Sequence, residues 1–271
     1  MDLELAGKTA LITGGSRGIG KAVARELGRE GVDVAIASRG MEALEETAKE
    51  LAAETGRRFV PISVDTSSEE SIQAMVKKAV AELGHLDILV NGAARVGGGP
   101  APKLAEITEE YFFEDMNTKV LGYLRCAKEV APYMQQQGWG RIINISGLAA
   151  RQSGNVVGSM RNVAVAAMTK NLADELGPLG INVTVVHPGL TRTERTAGMV
   201  AEAARQQGIT EAEAEERMAQ GISVRRIIDA REIAHVVAFL ASPKSIAING
   251  DAIAVAGGSG RAIHFLSLIH I

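Results

Sequence analysis

Seven short runs of the chain are almost continuously apolar: "TALIT" (9–13), "DVAIA" (33–37), "FVPISV" (59–64), "LDILV" (86–90), "RIINI" (141–145), "INVTVV" (181–186) and "AIAVA" (252–256). Runs without polar–apolar alternation mark strands buried on both faces of a sheet. Between them apolar residues recur at three- and four-residue spacing, as in Ile19, Val23 and Leu27, or Ile72, Met75, Val76, Ala79, Val80 and Leu83. That spacing gathers side chains on one stripe of a helix. The alternation continues past position 250 and predicts one α/β domain over residues 1–260. Its sheet is doubly wound, with about seven parallel strands, right-handed crossovers and helices on both faces.

One long segment interrupts the rhythm. Residues 190–226, after the sixth strand, are polar and Ala/Glu-rich with helical spacing. Such a segment is either a solvated helical pair or a substrate lid, because loops after the carboxyl ends of strands border the ligand crevice.

Composition narrows the class of partner. With 46% hydrophobic residues among 271, the chain can bury a sizeable core. Its 32 acidic and 29 basic residues are mixed, with no long Lys/Arg cluster to grip nucleic acid or an anionic membrane. Small-molecule chemistry is expected. The single cysteine, Cys126, forms no internal disulfide, the first residues "MDLELAGKTALITGG" lack a basic or long apolar leader, and no run approaches a bilayer span. These features predict a cytoplasmic protein. The histidines at 85, 187, 235, 264 and 270 lack metal-ligand spacing, and no nucleophile elbow is present. Neither a metalloenzyme nor a hydrolase is indicated.

The first strand leads into "TGGSRGIG", Thr13 to Gly20, and then directly into a helical pattern. Glycines at 14, 18 and 20 let backbone amides approach a pyrophosphate at a helix N-terminus, where free N–H groups and the dipole favour negative charge. A glycine trio that follows a strand, opens a helix and begins a βαβ unit predicts a dinucleotide site. The second strand ends in Ser38 and Arg39, where a carboxylate would accept from a ribose 2′-hydroxyl. A hydroxyl and a guanidinium suit a 2′-phosphate instead, and Arg17 adds a second cation, so NADP(H) is expected over NAD(H). Asp65, at the end of the third strand, is either an acceptor for the adenine amino group or a helix cap.

With these residues in view, the chain resembles the short-chain dehydrogenase/reductase family. The matching pieces are "TGGSRGIG", "VDTS", "LDILVNGAA", "MNTKVLGYLRCAKEVAPYM", "GRIINIS", "NLADELGPLGINVTVVHPGLTRT" and "EIAHVVAFLAS…NGDAIAVAGG". The resemblance implies a Rossmann fold, hydride transfer between a nicotinamide and an alcohol or carbonyl, and often a homotetramer. By position it implies that Gly14, Ser16, Arg17, Gly18 and Ile19 line the phosphates, Asp65 the adenine, and Asn91 with Ala93 the adenosine side. It likewise assigns Pro188, Gly189, Leu190 and Thr193 to the nicotinamide amide. One brace of the sheet departs from the family pattern, since Asn91 is followed by Gly92-Ala93-Ala94.

The family's chemistry uses a serine, a tyrosine, a lysine and an asparagine, and the resemblance assigns the asparagine to Asn117. On the fifth strand Ser146 falls one place before the serine position, which Gly147 takes. Anchoring on "NLADELGPLGINVTVVHPG" puts Gly158 and Asn162 at the tyrosine and lysine positions; counting forward from the fifth strand gives Met160 and Ala164. The loop at 148–157 accounts for the difference in register. No tyrosine follows Tyr133, and the lysines after Lys128 are Lys170 and Lys244. Lys170 lies about 18 Å along a helix from Gly158 and cannot substitute. A substitute acid is sought in His187, after the sixth strand, which has a suitable pKa range.

Two readings stand at this stage. One is an NADP(H)-dependent oxidoreductase of a small alcohol or carbonyl with non-standard acid–base residues. The other is a cofactor-binding pseudoenzyme with a regulatory or structural role, assembling as a homo-oligomer through helices at 110–137 and 158–177. The tail at 261–271 extends beyond the family pattern and has no assigned role.

Overall fold

In the computed structural model, which describes residues 1–94 and 102–260, the central sheet pairs strands in the order β3-β2-β1-β4-β5-β6-β9. These are β1 (Thr9–Thr13), β2 (Asp33–Ser38), β3 (Phe59–Ser63), β4 (Ile88–Asn91), β5 (Gly140–Ile145), β6 (Ile181–Pro188) and β9 (Ala252–Val255). Every pairing is parallel. All six residues of β5 and all eight of β6 are buried, which explains why those runs are rich in apolar residues without strict alternation, with helices covering both faces. The tail at 261–271 lies outside the described residues.

On one face lie α1 (Gly18–Arg29), α2 (Met41–Thr55) and α9 (Ala230–Ala241), sharing a core with Leu27, Val34, Ile36, Ile143 and Val237. On the other, α3 (Glu69–Leu83), α5 (Gly122–Gln137) and α6 (Val156–Leu176) pack on Leu11, Leu89, Ile142 and Val183. The strand order reverses between β1 and β4, and the crevice at such a switch point is where doubly wound folds bind ligands.

Three departures from the sequence pattern shape that crevice. First, α4 (Glu109–Met116) passes into α5 through a π-helical turn, Asn117–Leu121. The wider turn shifts which side chains face inward, a device frequent at functional sites. Second, residues 190–226 contain α7 (Thr196–Gln207) and α8 (Glu211–Ala219), joined by their own apolar contacts among Val200, Ala204 and Ala214. Third, β7 (Thr191–Arg192) pairs with β8 (Ile228–Asp229) at the two ends of that excursion. The ribbon is too short to show a period-two pattern in the sequence.

Candidate functional site

The glycine loop after β1 adopts a conformation that only glycine reaches without strain. Gly14 has φ +75° and Gly18 has φ +58°. A Cβ on Gly14 would stand 2.7 Å from the Gly92 carbonyl oxygen, so the loop and the end of β4 approach backbone to backbone. Gly20 packs more closely still, where a Cβ would stand 2.2 Å from the Gly14 oxygen.

The Gly18 N–H, at the first turn of α1, donates to both carboxylate oxygens of Glu194 at 3.3 and 3.0 Å. An anionic group is therefore already drawn to the helix N-terminus, as its free amide and dipole require. Thr193 lies over the same loop, its methyl 3.7 Å from a Cβ built on Gly18. The donor set and the glycine cradle fit a pyrophosphate. Arg17 is exposed at the N-cap of α1, Ile19 is packed against the core, and the Ser16 carbonyl accepts from Thr47.

The adenosine end is more open. Ser38 is half-buried at the end of β2 and Arg39 is exposed beside it. The Asp65 carboxylate accepts from the Ser67 hydroxyl and amide at 2.6 and 2.9 Å. Those bonds, with the charge of Arg39, hold its pKa below the ordinary carboxylate value. Asp65 thus combines the cap-like turn with an ionised acceptor. Asn91 is fully buried, and its amide donates to Asn144 Oδ1 at 2.9 Å, while Asn144 donates on to Thr169 at 3.0 Å. This chain of amides braces the sheet centre beside Gly92. Any contact of Asn91 with a ribose falls to its backbone. The Ala93 amide is held by the Thr13 hydroxyl at 3.3 Å.

At the other end, Pro188, Gly189 and Leu190 line a cleft of about 540 Å³ together with Leu148, Ala149, Gln152, Met218, Gly221, Ile222, Ser259 and Gly260. Residues just beyond α8 therefore wall the cleft.

The corner where β5 ends against α6 holds the group that sequence reasoning missed. Lys119, in the π-turn, is 4% exposed and donates from Nζ to the Ser146 carbonyl oxygen at 2.9 Å and to Asn162 Oδ1 at 3.3 Å. Asn162 Oδ1 also accepts from Arg161 Nε at 3.3 Å, and Arg161 Nη1 reaches both oxygens of the buried Asp115 at 2.8 Å. Two cationic donors fix the orientation of the Asn162 amide. Its nitrogen stands 2.9 Å from a Cβ built on Gly147. Burial, and secondarily Arg161, depress Lys119 to a pKa of about 7, with Asp115 opposing.

The expected acid–base residues are distributed differently. Asn117 turns away and accepts from Arg125 Nη1 at 2.8 Å; Lys119, two residues on, faces the corner instead. The wide turn separates them, which regular helical spacing could not indicate. The Ser146 hydroxyl donates to the Asn162 backbone oxygen at 3.2 Å, so it is turned to α6. His187 Nδ1 accepts from the Gly147 amide at 3.4 Å. Burial, then Arg151 and Lys119, lower its pKa to about 4. A neutral imidazole at physiological pH has no labile imidazolium proton to give, which removes the reason for assigning it as the acid. Gly158 is buried in the first turn of α6, capped by Asn155 Oδ1 at 2.7 Å. Met160, from the other register, is exposed, and Ala164 is half-buried.

Comparison with known proteins supplies the lineage. The family model for enoyl-(acyl carrier protein) reductase matches residues 14–259. The chain is 34% identical over 260 residues to a putative ketoacyl reductase of Streptomyces coelicolor, covering 94% of this chain and 97% of the relative. It is 30% identical over 259 residues to the NADPH-dependent reductase BacG of Bacillus subtilis, covering 94% and 99%. Among solved structures, L-sorbose reductase from Gluconobacter frateurii, complexed with NADPH and L-sorbose, superposes with a TM-score of 0.91 at 27% identity, covering 97% and 100%. Seven parallel strands, a glycine loop at the switch point and this match over nearly the whole chain make the protein a member of the short-chain dehydrogenase/reductase family.

Proposed function

We propose that the chain is an NADPH-dependent reductase of small ketones or aldehydes. The observation that carries this reading is the anion-binding N-terminus of α1, which draws the Glu194 carboxylate onto the Gly18 amide, four residues along the chain from the cleft-lining segment 188–190. Ser38 and Arg39 supply a hydroxyl and a guanidinium where a 2′-phosphate would lie, which favours NADPH over NADH. The NADPH-dependent and NADPH-bound relatives point the same way. NADPH, when bound, supplies hydride; the chain's own part is to hold the phosphates, seat the carbonyl in the cleft and provide a proton. Residues 190–226 act as the lid, since Met218, Gly221 and Ile222 already form one wall.

Helices α4 and α6 present Phe113, Val156, Met160 and Val163 to solvent, beside an apolar hollow lined by Leu104, Ile107 and Phe112. Single exposed apolar residues are ordinary, but a grouped set marks an interface. A homo-oligomer built on these helices is the proposed assembly. No helix among the described residues is long and apolar enough to cross a membrane.

Fluorescence titration with NADPH and NADH, followed by NADPH oxidation assays over a panel of α-diketones and β-ketoesters, tests the reading. Saturable binding that favours NADPH, with reduction of one or more carbonyls, is expected. Absence of NADPH binding would refute it. Binding without turnover would identify the inactive, cofactor-binding subunit that Gly158 and Asn162 suggest.

A further inference from the structure

We propose that Lys119 is the proton donor for carbonyl reduction by this chain, an assignment that rests on the reductase reading above. Three geometric facts converge on it. Its Nζ sits at the carboxyl end of β5, bonded to the carbonyl of Ser146, and the next two residues, Gly147 and Leu148, lead to the cleft wall. Two of its three N–H groups are used, and the third has no partner among the described residues. Gly147, between Ser146 and the cleft-lining Leu148, brings no side chain to the corner, where a Cβ would stand 2.9 Å from Asn162 Nδ2, so a carbonyl oxygen that reaches Nζ, directly or through one water, would enter past residue 147.

The neighbours from every packed element leave Lys119 as the group that exchanges protons near neutrality. Tyr123 of α5, whose ring lies 5.9 Å from Nζ, spends its hydroxyl on the Ile145 carbonyl at 3.0 Å, and burial pushes its pKa up. Cys126, one turn on, is pushed up to about 12 by burial. His187 of β6 is neutral, with its pKa near 4. Asp115 of α4 is clamped by Arg161 of α6, and Arg151, whose charge helps to lower His187, donates to the Ala252 carbonyl at 2.7 Å. Arg161 is spent on Asp115 and on Asn162 Oδ1. A lysine depressed to about 7 matches the range in which a general acid is most effective.

The step balances without another reagent. The carbonyl carbon takes hydride from the dihydronicotinamide, the C=O π pair moves to oxygen, and that oxygen takes a proton from the Nζ ammonium. NADP⁺, the alcohol and a neutral amine result, and the amine regains its proton from water. Asn162 Nδ2, held facing Gly147, is placed to donate a hydrogen bond to the same developing negative charge.

The test compares the full-length parent with Lys119→Met and Arg161→Gln, using whichever panel carbonyl the parent reduces. Lys119→Met should bind NADPH as the parent does yet lose about 10²–10⁴-fold in kcat/KM. The parent's reduction rate should be flat below pH 7 and fall tenfold per pH unit above it, as the donor loses its proton. Arg161→Gln removes a cation that lowers the lysine's pKa and unmasks Asp115, so its alkaline limb should move to higher pH; a purely structural lysine would leave the limb in place. Undiminished kcat/KM in Lys119→Met, or an unmoved limb in Arg161→Gln, would overturn the assignment while leaving the reductase reading intact. A parent that binds NADPH but reduces nothing overturns both. If Lys119→Met does not fold, the Arg161→Gln profile decides.

Discussion

Replacing Lys119 by methionine is expected to make the protein more stable while removing its activity. In an open chain this amine titrates at 10.5, and in the folded protein at about 7. At roughly 1.4 kcal/mol per pKa unit, holding the ammonium in the fold costs on the order of 4–5 kcal/mol at pH 7. Methionine matches the lysine's apolar stem and removes that cost, although the Ser146 carbonyl then loses its donor at about 1–3 kcal/mol. The net gain is about 1–4 kcal/mol, or roughly 2–8 °C in Tm for a domain of this size. The sign with pH follows from the depressed folded pKa. Between pH 7 and 10.5 the unfolded chain holds a proton that the folded chain has released, so the parent's stability rises with pH across this window. The clean range is pH 7 to 9. Above it Cys126, raised from 9.0 to about 12 in the fold, works in the opposite direction. Urea denaturation of parent and variant at half-unit pH steps gives the answer. A parent curve that rises by up to about 1.4 kcal/mol per pH unit, and a flat, higher variant curve, are expected. A variant less stable than the parent at pH 7 would refute the reasoning, because it would make the lysine a structural strut rather than a functional charge maintained at a stability cost.

Other predictions concern the cofactor end and the histidine. Glu194→Gln should tighten NADPH binding about three- to tenfold by fluorescence titration, since a carboxylate no longer competes for the Gly18 amide. Arg39→Ala should weaken NADPH by about tenfold or more and leave NADH nearly unchanged, seen as a collapse of the Kd ratio. His187→Gln should retain reduction within about tenfold at pH 7 and leave the parent's alkaline limb where it is, because the imidazole is held neutral down to about pH 4.

The sheet could be read almost strand by strand because doubly buried strands write themselves as unbroken apolar runs. The sequence reading began β4 at 86, whereas the strand starts at Ile88; Asp87 just before it is spent on the Thr9 amide and Lys8. The glycine loop was also readable, since a backbone that must take positive φ leaves glycine as its signature. Lys119 was not. A lysine among "MNTKVLG" looks like one more exposed helical charge, and only the π-turn rotates it inward while Asn117 swings to Arg125. Nothing in residue spacing signals one extra residue in a helical turn. Glu194 was hidden for a different reason: its contact with Gly18 joins residues 176 positions apart, and no local pattern couples them.

Transfer of deuterium from [4-²H]NADPH to a carbonyl, followed by mass spectrometry of the isolated product, tests most directly what the fold and the site imply. An alcohol carrying one deuterium at the former carbonyl carbon, formed by the parent and essentially lost in Lys119→Met at pH 6, is the expected result. A parent that saturates with NADPH but transfers no deuterium to any carbonyl of the panel would contradict it.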